Sequence, residues 1–140
     1  MDAHIQRVNI KGCKSAAGFK PPPGSHKAWN LTGPSMTMGQ DSYLFQQKGH
    51  VHDGGESMTV SINGKLVCTS QAKYGGKLGT MFDANGKATW QTIDSMGQCT
   101  DLIALKKGDM VVLEAFYDDE KHPLRASHGG MGTVENEEMG

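Results

Sequence analysis

The chain has no long apolar run, and that absence excludes one class of protein. No stretch of its 140 residues approaches the length of about 20 apolar residues that a membrane-spanning helix needs. Mean hydropathy is −0.49, and hydrophobic residues make up 36% of the chain. We therefore predict a single soluble domain over residues 1–140, with no membrane as a partner.

Charge of one sign and aromatic side chains are also scarce. The net charge is −1, and lysine and arginine are scattered along the chain rather than clustered. Aromatic residues make up only 6% of it. Proteins that bind nucleic acid usually present clustered basic charge or aromatic platforms for the bases, so we do not expect a nucleic-acid partner.

The chain also lacks long apolar stretches with the 3.6-residue period of an amphipathic helix. It has 19 glycines instead, and its apolar residues alternate over short segments that end in turn residues. This pattern is typical of a sandwich or a barrel of short β-strands. Residues 12–24 include three consecutive prolines, which predicts an irregular connecting arm.

Two segments give the clearest strand predictions. Residues 57–69 alternate on both sides of Asn63-Gly64, a preferred dipeptide for a two-residue hairpin turn. Residues 110–117 are apolar and β-branched, which predicts a core strand. Residues 70–87 are polar and rich in glycine, and we interpret them as a long loop of the kind that often carries function.

The most informative motif is a pair of histidines followed by a flexible turn. A strand predicted over residues 43–52 contains His50 and His52, and Asp53-Gly54-Gly55 follows it. Alternate side chains of a strand point to the same face, so both imidazoles are expected to face one cavity and approach one point. Imidazole binds zinc, copper, iron and nickel well, which predicts a transition-metal site. A hydrogen-bonded pair of surface histidines is the competing interpretation.

Cysteine occurs only three times, as Cys13, Cys68 and Cys99. No two of these are spaced as Cys-x-x-Cys, which argues against a structural zinc site and a thioredoxin-type redox pair. Cys68 and Cys99 lie at the ends of two predicted strands and are candidates for a disulfide, which leaves Cys13 unpaired. An odd number of cysteines also permits a reduced cytosolic protein.

Two features bear on the location of the protein. Met1-Asp2-Ala3-His4 has neither a basic start nor an apolar segment, so it is not a secretory signal. Asn30-Leu31-Thr32 is an N-glycosylation sequon, which makes Asn30 a candidate glycosylation site. With the candidate disulfide, the sequon favours a secreted glycoprotein whose leader is absent from this chain, and a cytoplasmic protein is the alternative.

Histidine and methionine recur near the end of the chain, at His122, His128, Met131 and Met139. These side chains are further metal donors, since thioethers bind Cu(I) and imidazoles bind most transition metals. Taken singly, a histidine is more often a hydrogen-bonded surface residue, and a methionine more often fills a core.

The order of several short motifs resembles a known family. His-x-His-Asp-Gly-Gly at residues 50–55 precedes the Asn-Gly hairpin, and Lys-Lys-Gly-Asp at 106–109 precedes an apolar strand that ends in Tyr-Asp. Gly-Thr-x-x-Asn-Glu-x-Met follows at 132–139. Residues 43–140 thus resemble the copper-binding C-terminal domain of the ascorbate-dependent type II copper monooxygenases, peptidylglycine α-hydroxylating monooxygenase and dopamine β-monooxygenase. They are also similar to the single-domain stress-up-regulated nodulin-like proteins.

The resemblance implies an antiparallel β-sandwich of jelly-roll type that holds one copper ion through two histidines and a methionine. Matched to this chain, the ligands would be His50, His52 and Met139, with His122 and His128 as substitutes. The monooxygenases also need a second copper domain, for which 140 residues leave no room. We therefore expect a copper protein that is either oxidative with an external reductant or redox-buffering, rather than a complete hydroxylase.

A metal-free function is the alternative. In that case a β-sandwich would bind or transform a small organic molecule in a cleft lined by His50, His52 and the loop over residues 70–87. The two imidazoles would act there as hydrogen-bonding or acid–base groups, which their ordinary pKa of about 6.5 permits. Elemental analysis and copper titration of the purified chain distinguish the two functions.

Overall fold

The computed structural model describes residues 27–123, which form an all-β fold of twelve strands. The strands are β1 (Ala28–Thr32), β2 (Met36–Thr37), β3 (Ser42–Leu44), β4 (Gln47–Lys48), β5 (Gly55–Ile62), β6 (Lys65–Tyr74), β7 (Thr80–Phe82), β8 (Ala88–Gln91), β9 (Ile93–Met96), β10 (Gln98–Cys99), β11 (Ile103–Leu105) and β12 (Met110–Asp118). No helix in this range is long and apolar enough to cross a membrane. The predicted arm at residues 12–24, Cys13, His128 and Met139 lie outside the described residues.

A six-stranded sheet forms the centre of the described fold. Its order is β1-β12-β5-β6-β9, and β2 also pairs with β12. Three two-stranded sheets, β4 with β10, β3 with β11 and β7 with β8, accompany it. The strand pairs of all four sheets are antiparallel. The prediction of an all-β fold built from antiparallel strands is therefore confirmed.

The hairpin of β5 and β6 turns at the predicted dipeptide. Asn63 and Gly64 have φ angles of 50° and 81°, and a type I′ turn requires positive φ at both central residues. The Asn63 side chain also donates to Asp109 Oδ1 at 2.8 Å and accepts from the Met110 amide at 2.9 Å. These two bonds tie the hairpin turn to the start of β12, the strand predicted over residues 110–117.

The hydrophobic core lies where the central sheet meets the segment that carries the histidine pair. Its buried residues include Met58 in β5 and Ala115 in β12, which are partners across the sheet. Tyr117 is also buried and stacks on Trp29 of β1, with ring centroids 4.4 Å apart. Val51 joins this cluster from outside the sheet. Burying an aliphatic side chain of that size stabilises a fold by about 1.5–3 kcal/mol, so Val51 anchors its segment to the core.

The prediction of one continuous strand over residues 43–52 is wrong. β3 ends at Leu44, β4 contains only Gln47–Lys48, and the two histidines follow β4 in irregular backbone. The interruption falls at Gln46, whose φ of 53° lies in the left-handed region that a strand does not use. The two short strands accordingly pair with different partners, β11 and β10.

The prediction of a loop over residues 70–87 is also wrong. β6 continues to Tyr74, and its residues 72–74 pair with β9. β7 then starts at Thr80 and pairs with β8. The polar side chains of this part of β6 give only a weak hydrophobic pattern, whereas the hydrogen-bonded ladder that forms the strand depends on the backbone.

The predicted pairing of Cys68 with Cys99 is confirmed. The two residues form a disulfide in which their Cα atoms lie 5.9 Å apart. Cys68 belongs to β6, and Cys99 belongs to β10, the partner of β4. The bond therefore attaches the small sheet that immediately precedes the histidine pair to the central sheet.

Candidate functional site

A cleft of about 430 Å³ opens beside the two histidines. Residues 48–53 form one wall, and residues 92–96 form the other. We call it the histidine-pair cleft. Residues 70–87, which were expected to line it, take no part in either wall. The reason is that β6 passes through this segment and pairs with β9, which places 92–96 opposite the histidines.

His50 and His52 meet edge to face within this cleft. Their ring centroids lie 5.2 Å apart, and the ring planes are inclined by 81°. Val51, between them, is only 4% exposed and points into the core. In extended backbone the neighbours of an inward side chain point outward, so burial of Val51 directs both imidazoles into the cleft. The side chains thus converge although they do not lie on a strand.

The turn that follows the histidines is held by close contacts. Gly54 has a φ of 89°, which favours glycine, and the amide of Gly55 donates to the carbonyl oxygen of His52 at 2.9 Å. A Cβ atom added to Gly55 would lie 2.5 Å from Val51 Cγ2. Because Gly55 has no side chain, the turn can pack directly on Val51, the core residue that orients the histidines.

A hydrogen bond links the two walls at one end of the cleft. Thr92 Oγ1 donates to Asp53 Oδ1 at 2.7 Å, in a partly buried position. Asp94, on the same wall as Thr92, accepts from the amide of Leu78 at 3.3 Å. Asp53 is thus a bridging carboxylate, and its bond to Thr92 fixes the turn after His52 against the opposite wall.

The second wall of the cleft was not among the sequence predictions. No local motif marks residues 92–96, because their place in the cleft depends on the pairing of β9 with β6, which is distant in sequence. This wall includes Met96, whose side chain is partly buried and packs against the core cluster. Met96 therefore brings a thioether to the same cleft as the two imidazoles.

His122 lies on a different cleft, of about 270 Å³, which we call the His122 cleft. Its ring stacks face to face on Tyr74, with centroids 3.6 Å apart and planes inclined by 5°. Trp90 and Lys121 also line this cleft. His122 Nε2 lies 3.8 Å from Glu56 Oε1, and Glu56 is also bound by the ammonium group of Lys121. The structure therefore does not bring His122 to the pair.

Burial controls the titration of both stacked rings. It lowers the pKa of His122 below its usual value, and the positive charge of Lys121 lowers it further. Burial also raises the pKa of the Tyr74 hydroxyl, and the charge of Asp53 adds to that effect. The Tyr74 hydroxyl donates to the carbonyl oxygen of Gly55 at 2.8 Å, so the stack lies against the turn that follows the histidine pair.

The described residues supply part of a metal-binding set. Within residues 27–123, no group of three or more histidine, cysteine, aspartate or glutamate side chains could hold a metal ion. The histidine-pair cleft offers the imidazoles of His50 and His52 and the thioether of Met96. Such a donor set suits a soft or borderline transition metal and does not suit magnesium or calcium, which prefer oxygen ligands.

The candidate glycosylation site lies on the outer strand β1. Asn30 is exposed, and its side-chain amide donates to the carboxylate of Glu114 on β12. The Thr32 hydroxyl donates to the same carboxylate at 3.2 Å. A glycan on Asn30 would replace one of the two hydrogens of the amide that bonds Glu114.

No family model, no curated protein and no solved structure matches this chain. The function is consequently inferred from the motifs of the sequence and from the geometry of the histidine-pair cleft.

Proposed function

We propose that the chain binds one copper ion in the histidine-pair cleft and works as a redox-active copper protein with an external reductant. His50 and His52 would supply the two imidazole ligands. The single observation that carries the proposal is the edge-to-face approach of these two rings, 5.2 Å apart, in an open cleft. A bound copper ion would supply one-electron redox chemistry at that position.

The chemistry of the donors favours copper over harder ions. Two imidazoles with a thioether accept both Cu(I) and Cu(II), and the resemblance of residues 43–140 to a copper domain favours the same metal. By that resemblance the thioether is Met139. Met96 is a second thioether, and it lies on the wall opposite the histidines. Comparison of the Met139→Leu and Met96→Leu variants in Cu(I) titrations assigns this ligand.

The residues around the pair would orient it and leave it accessible. Val51 anchors the segment in the core, and the bond between Thr92 and Asp53 holds the turn behind His52. His50 is exposed and His52 is half-buried, so a small reductant or substrate can reach the imidazoles from solvent. A site with few protein ligands and an open side favours reactivity over a purely structural role.

The proposal extends to the fold type and to the location. We propose that the antiparallel sheets belong to a β-sandwich of jelly-roll type, as the resemblance implies. We also propose that the protein is secreted. The disulfide between Cys68 and Cys99 supports this location, because such bonds persist in oxidising compartments, and the exposed sequon at Asn30 is compatible with it.

Copper titration of matched histidine variants tests the function. The parent chain should bind one equivalent of copper, and His50→Ala or His52→Ala should weaken binding by at least about tenfold, since loss of a group that supports a metal site costs that much or more. His122→Ala is the matched control and should bind as the parent does. The copper function fails if the parent binds no copper or if both pair variants bind it unchanged.

A second candidate function is metal-free binding of a small organic molecule. The observation that favours it is the volume of the histidine-pair cleft, about 430 Å³, which falls in the usual range of small-molecule sites, about 300–1,000 Å³. Ser95 and Asp94 add polar groups to its wall. A small-molecule screen by thermal shift, run on chelator-treated protein, supports this function only if His50→Ala abolishes the hits.

A further inference from the structure

One buried serine bonds both to the histidine wall of the cleft and to the residue that follows the opposite wall. Ser70 lies on β6 and is only 2% exposed. Its Oγ accepts a hydrogen bond from the amide of Gly49 at 2.9 Å and donates one to the carbonyl oxygen of Gly97 at 2.6 Å. Gly49 immediately precedes His50, and Gly97 immediately follows Met96. A single hydroxyl therefore joins the histidine wall to the residue at the end of the opposite wall.

A hydroxyl is the group that this position requires. It carries one proton and two lone pairs, so it can donate to Gly97 and accept from Gly49 at the same time. Gly49 also packs closely against this serine, since a Cβ atom added to Gly49 would lie 3.1 Å from Ser70 Oγ and 2.9 Å from Met58 Cβ. The backbone before His50 is thus packed directly on the serine.

The surrounding frame is rigid independently of this hydroxyl. The amide of Gly97 donates to the carbonyl oxygen of Gln71 at 2.7 Å, and the disulfide joins Cys68 to Cys99 two residues away on each side. β4, which precedes Gly49, and β10, which follows Gly97, also pair with each other. Loss of the hydroxyl should therefore change the position of the histidine wall and leave the central sheet in place.

We propose that Ser70 is a positioning residue for the histidine pair. By holding Gly49 at a fixed distance from Gly97, it sets the place of His50 relative to the wall that carries Met96. The inference rests on the proposed function, because it concerns the arrangement of imidazoles around a copper ion at that cleft. Ser70 does not line the cleft, and it would contribute to the copper affinity through the position of His50.

The test compares Ser70→Ala with two matched variants. Ser70→Thr keeps the hydroxyl, and Ser57→Ala removes the hydroxyl of a second buried serine, on β5. We expect Ser70→Ala to weaken copper binding about tenfold or more and to change the Cu(II) hyperfine coupling in the electron paramagnetic resonance spectrum. Ser70→Thr should restore both properties, and Ser57→Ala should change neither.

Two results would overturn the inference: unchanged copper affinity and spectrum in Ser70→Ala, or an equal loss in Ser57→Ala, which would indicate general destabilisation. A measurement without metal separates this inference from the proposed function. In metal-free protein, Ser70→Ala should lose the hydrogen-exchange protection of the Gly49 amide and shift the imidazole resonances of His50 and His52, while the amide of Gly97 stays protected.

If the parent chain binds no copper, the proposed function fails, and the metal-free measurement alone decides the role of Ser70. Unchanged imidazole resonances in metal-free Ser70→Ala would then contradict it. If Ser70→Thr does not fold, the same resonances of Ser70→Ala, compared with those of Ser57→Ala, give the answer.

Discussion

The histidine pair and His122 present the same side chain in two different settings. His50 and His52 meet edge to face at the rim of a cleft of about 430 Å³, on backbone that Val51 anchors in the core. His122 is stacked flat on Tyr74 at 3.6 Å. One arrangement places the two imidazoles in the lining of an open cleft. The other uses the ring face for packing.

The comparison teaches that sequence position alone does not distinguish a ligand from a packing residue. Both the pair and His122 were candidate metal ligands in the sequence. The two settings differ in what holds the rings. The segment of the histidine pair is held by Ser70 and by two sheets that a disulfide joins. His122 is held by the ring of Tyr74 and lies near the carboxylate of Glu56.

Removal of the disulfide should have the largest effect. Simultaneous Cys68→Ala and Cys99→Ala changes should lower the free energy of unfolding by about 3–4 kcal/mol, because the bond closes a loop with a sequence separation of 31 residues. Urea unfolding measures the loss, with Cys13→Ala as the control because that residue takes no part in the bond. A loss below about 1 kcal/mol would show that the chain-entropy account of this bond is wrong.

The same double variant should affect the histidine-pair cleft more than the His122 cleft. The disulfide attaches the sheet of β4 and β10, which precedes the histidine pair, and it does not border the His122 cleft. Amide exchange should therefore increase around residues 47–52 and stay close to the parent's around Tyr74. Equal increases at both places would contradict the assignment of the disulfide to the histidine-pair cleft.

A side chain at Gly55 should also destabilise the protein. In Gly55→Ala the added Cβ would lie 2.5 Å from Val51 Cγ2 and 2.9 Å from the carbonyl oxygen of His52, which forces the histidine segment away from the core. We expect a loss of about 1–3 kcal/mol in urea unfolding. Gly39→Ala is the matched control, since a Cβ there meets nothing within 4 Å, and equal losses would refute the packing argument.

Breaking the link between the two walls should have a smaller effect. Thr92→Val removes the 2.7 Å hydrogen bond to Asp53, which should cost about 1 kcal/mol because the group is only partly buried. Thr89→Val, which removes an exposed bond to the carbonyl oxygen of Met81, should change stability by less than about 0.5 kcal/mol. Thermal unfolding compares the two, and a larger loss in Thr89→Val would contradict the account.

The smallest effect concerns the pH dependence of His122. Its pKa is lowered by burial and by Lys121, against the opposing charges of Glu56 and Asp118. Since the fold favours the neutral ring, the stability it contributes is complete above the ordinary pKa of about 6.5 and decreases as the pH falls through and below that value. His122→Phe keeps a ring on Tyr74 and should reduce the loss of stability between pH 7.5 and pH 5. An unchanged pH profile would be inconsistent with this view of the stack.

The parts of the fold that could be predicted are those with a local signal. Asn63-Gly64 marked the hairpin because a type I′ turn needs two positive φ angles, and β12 was marked by its apolar run. The wall at residues 92–96 could not be predicted, because its position depends on pairing with a polar part of β6. The convergence of the two histidines was argued from a strand, whereas in the structure it follows from irregular backbone and from the burial of Val51.

Counting the imidazoles on bound copper tests the central contrast most directly. Pulsed electron paramagnetic resonance of the chain loaded with one equivalent of Cu(II) detects the remote nitrogen of each coordinated imidazole. The account predicts two imidazoles in the parent, one in His50→Ala and in His52→Ala, and two in His122→Ala. Two imidazoles in a chain that carries both His50→Ala and His52→Ala, or a loss of one in His122→Ala, would contradict it.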